Sequence, residues 1–198
     1  RSALPARSEM CIRDRFESAL NGDDKLGNLL SYGYISGEFI TDVQQGYPML
    51  VRSIDSSFNL ANLMKSHIYS AFSTLKIGID LLKENENIEI NSIYGHGGIF
   101  KTEKVAQTFL AAAMQSPVSV MQTASEGGAW GIAVLARFLI EESDMCLANY
   151  LNNVAFKETE SIHIEPSKKE IESFNRYIKR FKEGLPIERL ANEQFKAH

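Results

Sequence analysis

Apolar residues along this chain switch between a period of two and a period of three to four, and the switches divide it into strands and helices. From Phe16 to Leu30 one or two short amphipathic helices can be drawn, interrupted by the turn signal Asn21-Gly22-Asp23-Asp24. Ser31-Tyr32-Gly33-Tyr34-Ile35 then predicts a short strand ending at Ser36-Gly37-Glu38. A loop with Gly46 and Pro48 leads to a second strand from Met49 to Ile54, so a hairpin or a pair of neighbouring strands is expected. Asp55-Ser56-Ser57 offers N-cap residues for a long helix in which Phe58, Leu60, Leu63, Met64, Ile68, Ala71, Phe72, Leu75, Ile79 and Leu82 recur at three and four. One face of that helix should be buried, with Lys65 and His67 beside it; a lone histidine in such a place usually has no chemical role.

The stretch from Ile88 to Thr102 organises the rest. It starts as a β-rich segment with alternating apolar residues, breaks at Gly95, Gly97 and Gly98, and passes at Lys101 into a helical pattern through Val105, Phe109, Ala112 and Ala113. A strand, a glycine turn and a helix in that order gather backbone N–H groups and a helix N-terminus at one point, which favours an anionic group such as a phosphate. Glycine also lets a flat ligand lie directly on the main chain. A tight connection with no ligand accounts for the same residues, and Gly95-His96-Gly97-Gly98 fits neither the Rossmann nor the P-loop spacing.

Beyond Gln115, Pro117 to Met121 predicts another strand. Thr123-Ala124-Ser125-Glu126 has the spacing of a capping box and opens a helix of small residues around Trp130, running from Gly127 to Ala136. Small residues allow close approach to a ligand or to a neighbouring helix, and both readings stay open. Past Leu139 the chain is more polar: a short helix near Leu147 to Val154, a strand from Ser161 to Ile164, then a helix after Pro166-Ser167 that carries Ile171, Phe174, Tyr177, Ile178 and Phe181 and is capped at Gly184. Leu185 to Phe195 leaves room for one more short helix. Strands alternating with helices make this an α/β chain, with a mixed sheet and helices packed on it.

Composition narrows the partners. With 198 residues, 44% hydrophobic and 23% charged, the chain suits one globular domain or one lobe of a larger protein. A formal net charge of −4 argues against nucleic acid, and the short basic run from Arg176 to Lys182 reads as the solvated face of a helix. Cys11 and Cys146 are too few and too far apart for a metal site or a disulfide framework, which fits a reducing cytoplasm. No apolar run is long enough to span a membrane, and no signal peptide is visible. Residues 1–15 share no period with the remainder of the chain and are expected to be a non-native or disordered leader, so Asp14 is given no role; a genuine flexible N-terminus is the alternative.

Four pieces then stand in a telling order: Tyr34-Ile35-Ser36-Gly37-Glu38; Leu60-Ala61-Asn62, opening a helix that runs to Ala71-Phe72; Gly97-Gly98 between a strand and a helix; and Glu126-Gly127-Gly128-Ala129-Trp130-Gly131-Ile132-Ala133. In order and spacing they resemble the C-terminal half of an FGGY-type carbohydrate kinase, the group of xylulokinases, ribulokinases and glycerol kinases. The closing helix with Tyr177 and Phe181 is similar to the usual end of these enzymes. The resemblance implies an actin-like, ribonuclease-H-like lobe over residues 16–198 that binds ATP and faces a sugar-binding lobe missing from this chain. It implies that Gly97 and Gly98 lie against the adenosine and phosphate part of ATP, with Ile99 and Thr102 flanking the nucleotide. Gly95 and His96 precede the pair at the same crevice, and no role is carried over to His96.

The implied cofactors are ATP and Mg²⁺, and the implied acceptor is a pentulose or a related sugar or polyol, met through the other lobe. A homodimer is one candidate state. The family's catalytic aspartate belongs to a segment that should precede Ser31; Asp23 and Asp24 lack its glycine-rich setting, so no catalytic or metal-binding residue is assigned and the fragment alone is expected to be inactive. Three departures stand out. Ile99 occupies a position that is often small, Phe39 replaces the arginine after Ser-Gly-Glu, and Arg52-Ser53-Ile54-Asp55 replaces a Gly-Leu-Thr-type segment. Arg52 and Asp55 then become candidate polar groups near the phosphates, or a surface ion pair of little worth. Two other functions compete. A dinucleotide-binding domain has the wrong glycine spacing here and lacks the acidic residue about 20 positions on, whereas a non-catalytic actin-like module would bind nucleotide or a protein partner.

Overall fold

The computed structural model describes residues 12–121, 127–141, 145–157 and 161–195. Residues 12–18 form the first helix, α1, so the boundary expected after Arg15 falls inside a helix. Two 3₁₀ turns, Ala19–Asn21 and Leu26–Asn28, lead into β1 (Leu29–Tyr32). The segment between them is built around its own side chain: Asp23 Oδ1 accepts from the backbone N–H groups of Lys25 and Gly27, both at 2.9 Å. Those bonds hold Leu26, Gly27 and Asn28 at φ of 54°, 58° and 60°, a left-handed run that two non-glycine residues would not adopt unaided.

β1 pairs antiparallel with β2 (Met49–Arg52), Leu29 opposite Arg52 and Tyr32 opposite Met49, as the expectation of neighbouring strands required. All four residues of β1 are buried, and the strand starts two residues before the expected one. Covering on both faces by helices removes the alternation that would have marked it.

Helix α2 spans Leu60–Glu86, with Asn59 as N-cap accepting from the N–H of Asn62 at 2.9 Å. The expected cap at Asp55-Ser56-Ser57 is displaced because Ser57 is committed elsewhere. Its N–H donates to Gly27 O at 2.9 Å and its carbonyl accepts from Asn62 Nδ2 at 3.0 Å, which ties the helix start to the Asp23 turn.

The second sheet holds β3 (Ile93–Gly95), β4 (Val118–Met121) and β5 (Ser161–Ile164) in the order β3-β4-β5. β3 and β4 are parallel, and β5 joins β4 antiparallel. A parallel pair needs a crossover, supplied here by α3 (Val105–Met114), which is apolar nearly all round and buried at nine of its ten positions. The strand is shorter than the pattern from Ile88 suggested. The helix also starts four residues past Lys101, because Lys104 turns left-handed at φ 66°.

After β4 come α4 (Gly127–Ile140), α5 (Leu147–Tyr150) with a π-helical turn at Leu151–Ala155, and, past β5, α6 (Lys168–Gln194). The capping-box residues Thr123 to Glu126 lie outside the described residues. α6 does not stop at Gly184, as the sequence suggested, but continues through Pro186 to Gln194. Gly184 is small because Tyr32 lies against it: a Cβ there would collide with the Tyr32 hydroxyl, which donates to Phe181 O at 2.9 Å. Pro186 is tolerated because it and Lys182, whose carbonyl loses a partner, are both exposed to water.

The core lies between β1, α2, α3 and α6, around Tyr32, Tyr69, Phe109, Phe174, Tyr177 and Phe181. Lys65 sits within it, and not beside the buried face as expected. So does Glu188, with Oε1 accepting from Tyr47 N–H at 2.7 Å and Oε2 without a hydrogen-bond partner among the described residues. Burial pushes this carboxyl above its ordinary value of 4.5, and the Tyr47 N–H offsets that only in part.

Two substitutions test these contacts. A helical Gly→Ala change ordinarily gains about 1 kcal/mol, but Gly184→Ala should destabilise the protein by about 2 kcal/mol in denaturant titration, because overpacking against Tyr32 outweighs propensity. For Glu188 the folded pKa is raised, so its stabilising contribution is full below the unfolded value and is lost as pH rises through the folded one. Glu188→Gln keeps the acceptor for Tyr47 and removes the charge. It should match the parent in stability near pH 4 and exceed it near pH 8, and an equal difference at both pH values would contradict the assignment.

Candidate functional site

In a sheet with parallel strands, ligands collect at the carboxyl ends, where crossovers diverge. Here those ends are the residues after β3 and β4, and they open into a crevice of about 540 Å³. Tyr94 and Gly95 line it from β3, His96 from the residue after that strand, and Met121 from β4. α4 forms a long wall through Gly127, Gly128, Trp130 and Gly131 to Leu135, and Leu151 and Phe156 close the far side. Trp130 and Phe156 pack together with ring centroids 5.1 Å apart and planes tilted by 51°.

The small residues of α4 have different tasks. At Gly127 a Cβ would meet Cβ of His96 at 3.2 Å, so this glycine lets the helix start close to the end of β3. Gly128 and Gly131 face open space, with nothing within 4 Å of an added Cβ. The close approach expected to a neighbouring helix is made at Gly127 to His96 at the end of β3 instead, and the free space at Gly128 and Gly131 leaves room for ligand contact. Among the described residues, no lining residue is an aspartate, glutamate, lysine or arginine. The crevice therefore suits a flat, uncharged body such as a nucleobase, held by apolar contact and ring stacking.

Gly97 and Gly98 follow directly on the lining residue His96. Gly97 has φ 101°, which glycine alone adopts readily, and it turns the chain into a 3₁₀ turn at Gly98–Phe100. Gly98 is exposed and has nothing within 4 Å of an added Cβ. Ile99 packs against the core, and Thr102 is buried. The four residues thus form one continuous turn beside the crevice without lining it.

Sequence alone assigns no role to Trp130, Phe156, Leu151 or Met121. Trp130 is visible there as an aromatic in a small-residue helix; Phe156 and Leu151 carry no signal, since they reach the crevice only through the chain returning after α4.

The remaining polar candidates lie elsewhere. Burial raises the Asp23 carboxyl, but the N–H groups of Gly27 and Lys25, the Asn62 amide and the Lys65 charge together hold it below the ordinary carboxylate range. A carboxylate so fully engaged in a turn is a structural acceptor and a poor base. Arg52 lies over the Phe58 ring at 5.4 Å, at the end of the two-stranded sheet, and Asp55 is bonded to Ser53. His67 is exposed on α2.

Residues 8–139 match the family model described as the FGGY family of carbohydrate kinases, C-terminal domain. A search of curated proteins found no match. Among solved structures, xylulose kinase from Rhodospirillum rubrum superposes with a TM-score of 0.65 at 13% identity, over 93% of this chain and 35% of that one. Gluconate kinase from Lactobacillus acidophilus gives 0.66 at 16% identity, over 92% and 36%. Plasmodium falciparum glycerol kinase with ADP gives 0.61 at 14% identity, over 85% and 33%. The chain spans about a third of the length of these structures, and at such identities the likeness is one of fold. On the family match, which covers two thirds of its length, this chain belongs to the FGGY family of carbohydrate kinases, in the part corresponding to their C-terminal domain.

Proposed function

We propose that this chain is the nucleotide-binding half of an ATP-dependent carbohydrate kinase, an actin-like lobe that works against a sugar-binding lobe carried outside residues 16–198. The observation that carries the reading is the uncharged crevice at the carboxyl ends of β3 and β4, continuous with the Gly97-Gly98 turn. The base of ATP would occupy the slot beside Trp130 and Phe156, and the phosphates would run along the backbone of Gly97 and Gly98, with Ile99 and Thr102 shaping the turn from beneath.

When bound, ATP supplies the phosphoryl group; this chain's residues bind and orient it and keep water from the base. The described residues hold no cluster of three or more His, Cys, Asp or Glu that could ligate a metal, and no described lining residue is a carboxylate. The described residues do not fit a protein-held Mg²⁺. The base that takes the sugar proton is assigned to a segment outside this chain, and the chain by itself is proposed to be inactive. The acceptor is a pentulose or a related polyol. Fold does not choose among them, since the similar structures bear the names of xylulose, gluconate and glycerol kinases. The non-catalytic alternative would keep the crevice and lose the partner lobe.

Trp130 is the chain's single tryptophan and lines the crevice, so its fluorescence reports occupancy directly. Titration with ADP or ATP should quench it. Gly98→Glu, which has space for its side chain, should keep the fold and weaken nucleotide binding at least tenfold, or about 1.4 kcal/mol, by setting a carboxylate against the phosphates. No quenching and no calorimetric heat with either nucleotide, or unchanged affinity in the variant, would defeat the proposal.

A further inference from the structure

We propose a second anion site, distinct from the crevice: a pocket between the Asp23–Asn28 turn and α6 that binds a small phosphorylated molecule by its phosphate. The pocket measures about 260 Å³, less than half of the crevice, and its walls carry Lys25, Arg176 and Arg180 against one carboxylate, Asp24. Lys169 Nζ lies 3.2 Å from the Oδ1 of that carboxylate and partly offsets its charge, although this oxygen accepts no hydrogen bond among the described residues. The pocket is therefore locally cationic in a chain whose formal charge is −4.

Arg176 and Arg180 stand one helical turn apart on one face of α6. Each is fixed to the opposite wall by a single bond: Arg176 Nη2 donates to Asp24 O and Arg180 Nη2 to Asn28 O, both at 3.2 Å. A guanidinium has five N–H donors in a rigid fork, so one tether orients the group and leaves donors for a ligand. The basic run read from sequence as a solvated face thus has part of its charge turned toward a pocket.

The hydroxyls of the floor are committed. Ser173 Oγ donates to Asp24 O at 2.9 Å, and the Tyr177 hydroxyl bonds Ser31 O at 3.0 Å. Recognition falls to the three cations, and they select an anion with several acceptor oxygens. A phosphate monoester meets that need better than a carboxylate, because its tetrahedral oxygens accept from two guanidinium forks and an ammonium at once. The wall facing α6 is preorganised, since the Asp23 carboxylate locks the left-handed run that ends at Asn28, whose carbonyl accepts from Arg180.

The test uses inorganic phosphate as probe, followed by calorimetry and ³¹P line broadening on this chain. The parent should bind phosphate with an affinity that falls as sodium chloride is added. Lys25→Gln should weaken binding several-fold, and Arg176→Gln with Arg180→Gln should abolish it, while the response of Trp130 to ADP stays unchanged in both. The arginine pair also tethers the turn, so the single Lys25→Gln variant, which leaves both tethers in place, remains informative if the double variant loosens the fold. Absence of phosphate binding in the parent, unchanged affinity in Lys25→Gln, or a parallel loss of the ADP response in that variant would overturn the proposal. The ADP response of the parent is read separately, so failure of the crevice and failure of this pocket are distinguishable.

Discussion

The fold depends on the register of α6 against α2, and that register is set by a buried ion pair. Lys65, 1% exposed, places Nζ 3.0 Å from Oε2 of Glu170, and the Tyr69 hydroxyl donates to the same oxygen at 2.7 Å. Burial, and then the Glu170 charge, push the Tyr69 hydroxyl far above its usual pKa, so it remains a donor at any working pH. A buried pair contributes little net stability compared with apolar residues, but separating its members leaves an uncompensated charge and costs about 3–5 kcal/mol. Sliding α6 by one turn would do that, which gives the pair its specifying role. The contacts further along fall into step: Tyr177 on Ser31 and Ser66, Phe181 O on Tyr32, Glu188 on Tyr47, and Arg189 on the carbonyl of Thr41.

This clamp also determines the position of the crevice. α3 is packed against both α2 and α6, and it is the crossover of the parallel strands, so its placement fixes where β3 and β4 end. Gln107 on α3 extends the control to the far strand, donating to Ile162 O at 2.9 Å. The chain beyond the strand ends is then brought back by α4 and the π-helical turn to form the outer wall. That wall differs in kind from the core, since no residue of α4 is buried, and Ile132, Leu139 and Ile140 are 72%, 76% and 79% exposed. The crevice has one rigid side, formed by strand ends, and one side held by few contacts.

Legibility in the sequence depends on where burial is one-sided. α2 and the strand at Ser161 show their periods because one face of each meets water, whereas β2 is exposed along most of its length and is marked only by its run of apolar residues. β1 and α3 are covered all round, so period carries no boundary information there, and the expected ends of both differ from the observed ones by a few residues. Gly184 misleads differently: glycine near a helix end is usually a cap, and only the tertiary contact with Tyr32 explains its presence in mid-helix. Lys65 and Glu170 are 105 positions apart, and no local pattern pairs them. At the site, the glycine turn and the small-residue helix are readable because both are local. The aromatic partner Phe156 is not, because it arrives through a chain reversal that leaves no mark in the sequence.

The chemistry of the crevice separates two demands that a nucleotide makes on a protein. A base needs an apolar slot, and charge in that slot would have to be desolvated at a cost of several kcal/mol. Phosphates need donors and cations, and backbone N–H groups at a glycine turn supply donors without charge. On the proposed reading, the described lining meets the first demand with Trp130, Phe156 and bare glycines, and the main chain around Gly97 and Gly98 serves the second. Arg176 and Arg180 are instead tethered to the Asp23–Asn28 turn, away from the lining of the crevice. On that reading, strong charge stabilisation of a transferring phosphoryl group comes from groups outside the described lining, which is the arrangement expected if the reacting end of the nucleotide points out of this lobe and toward another.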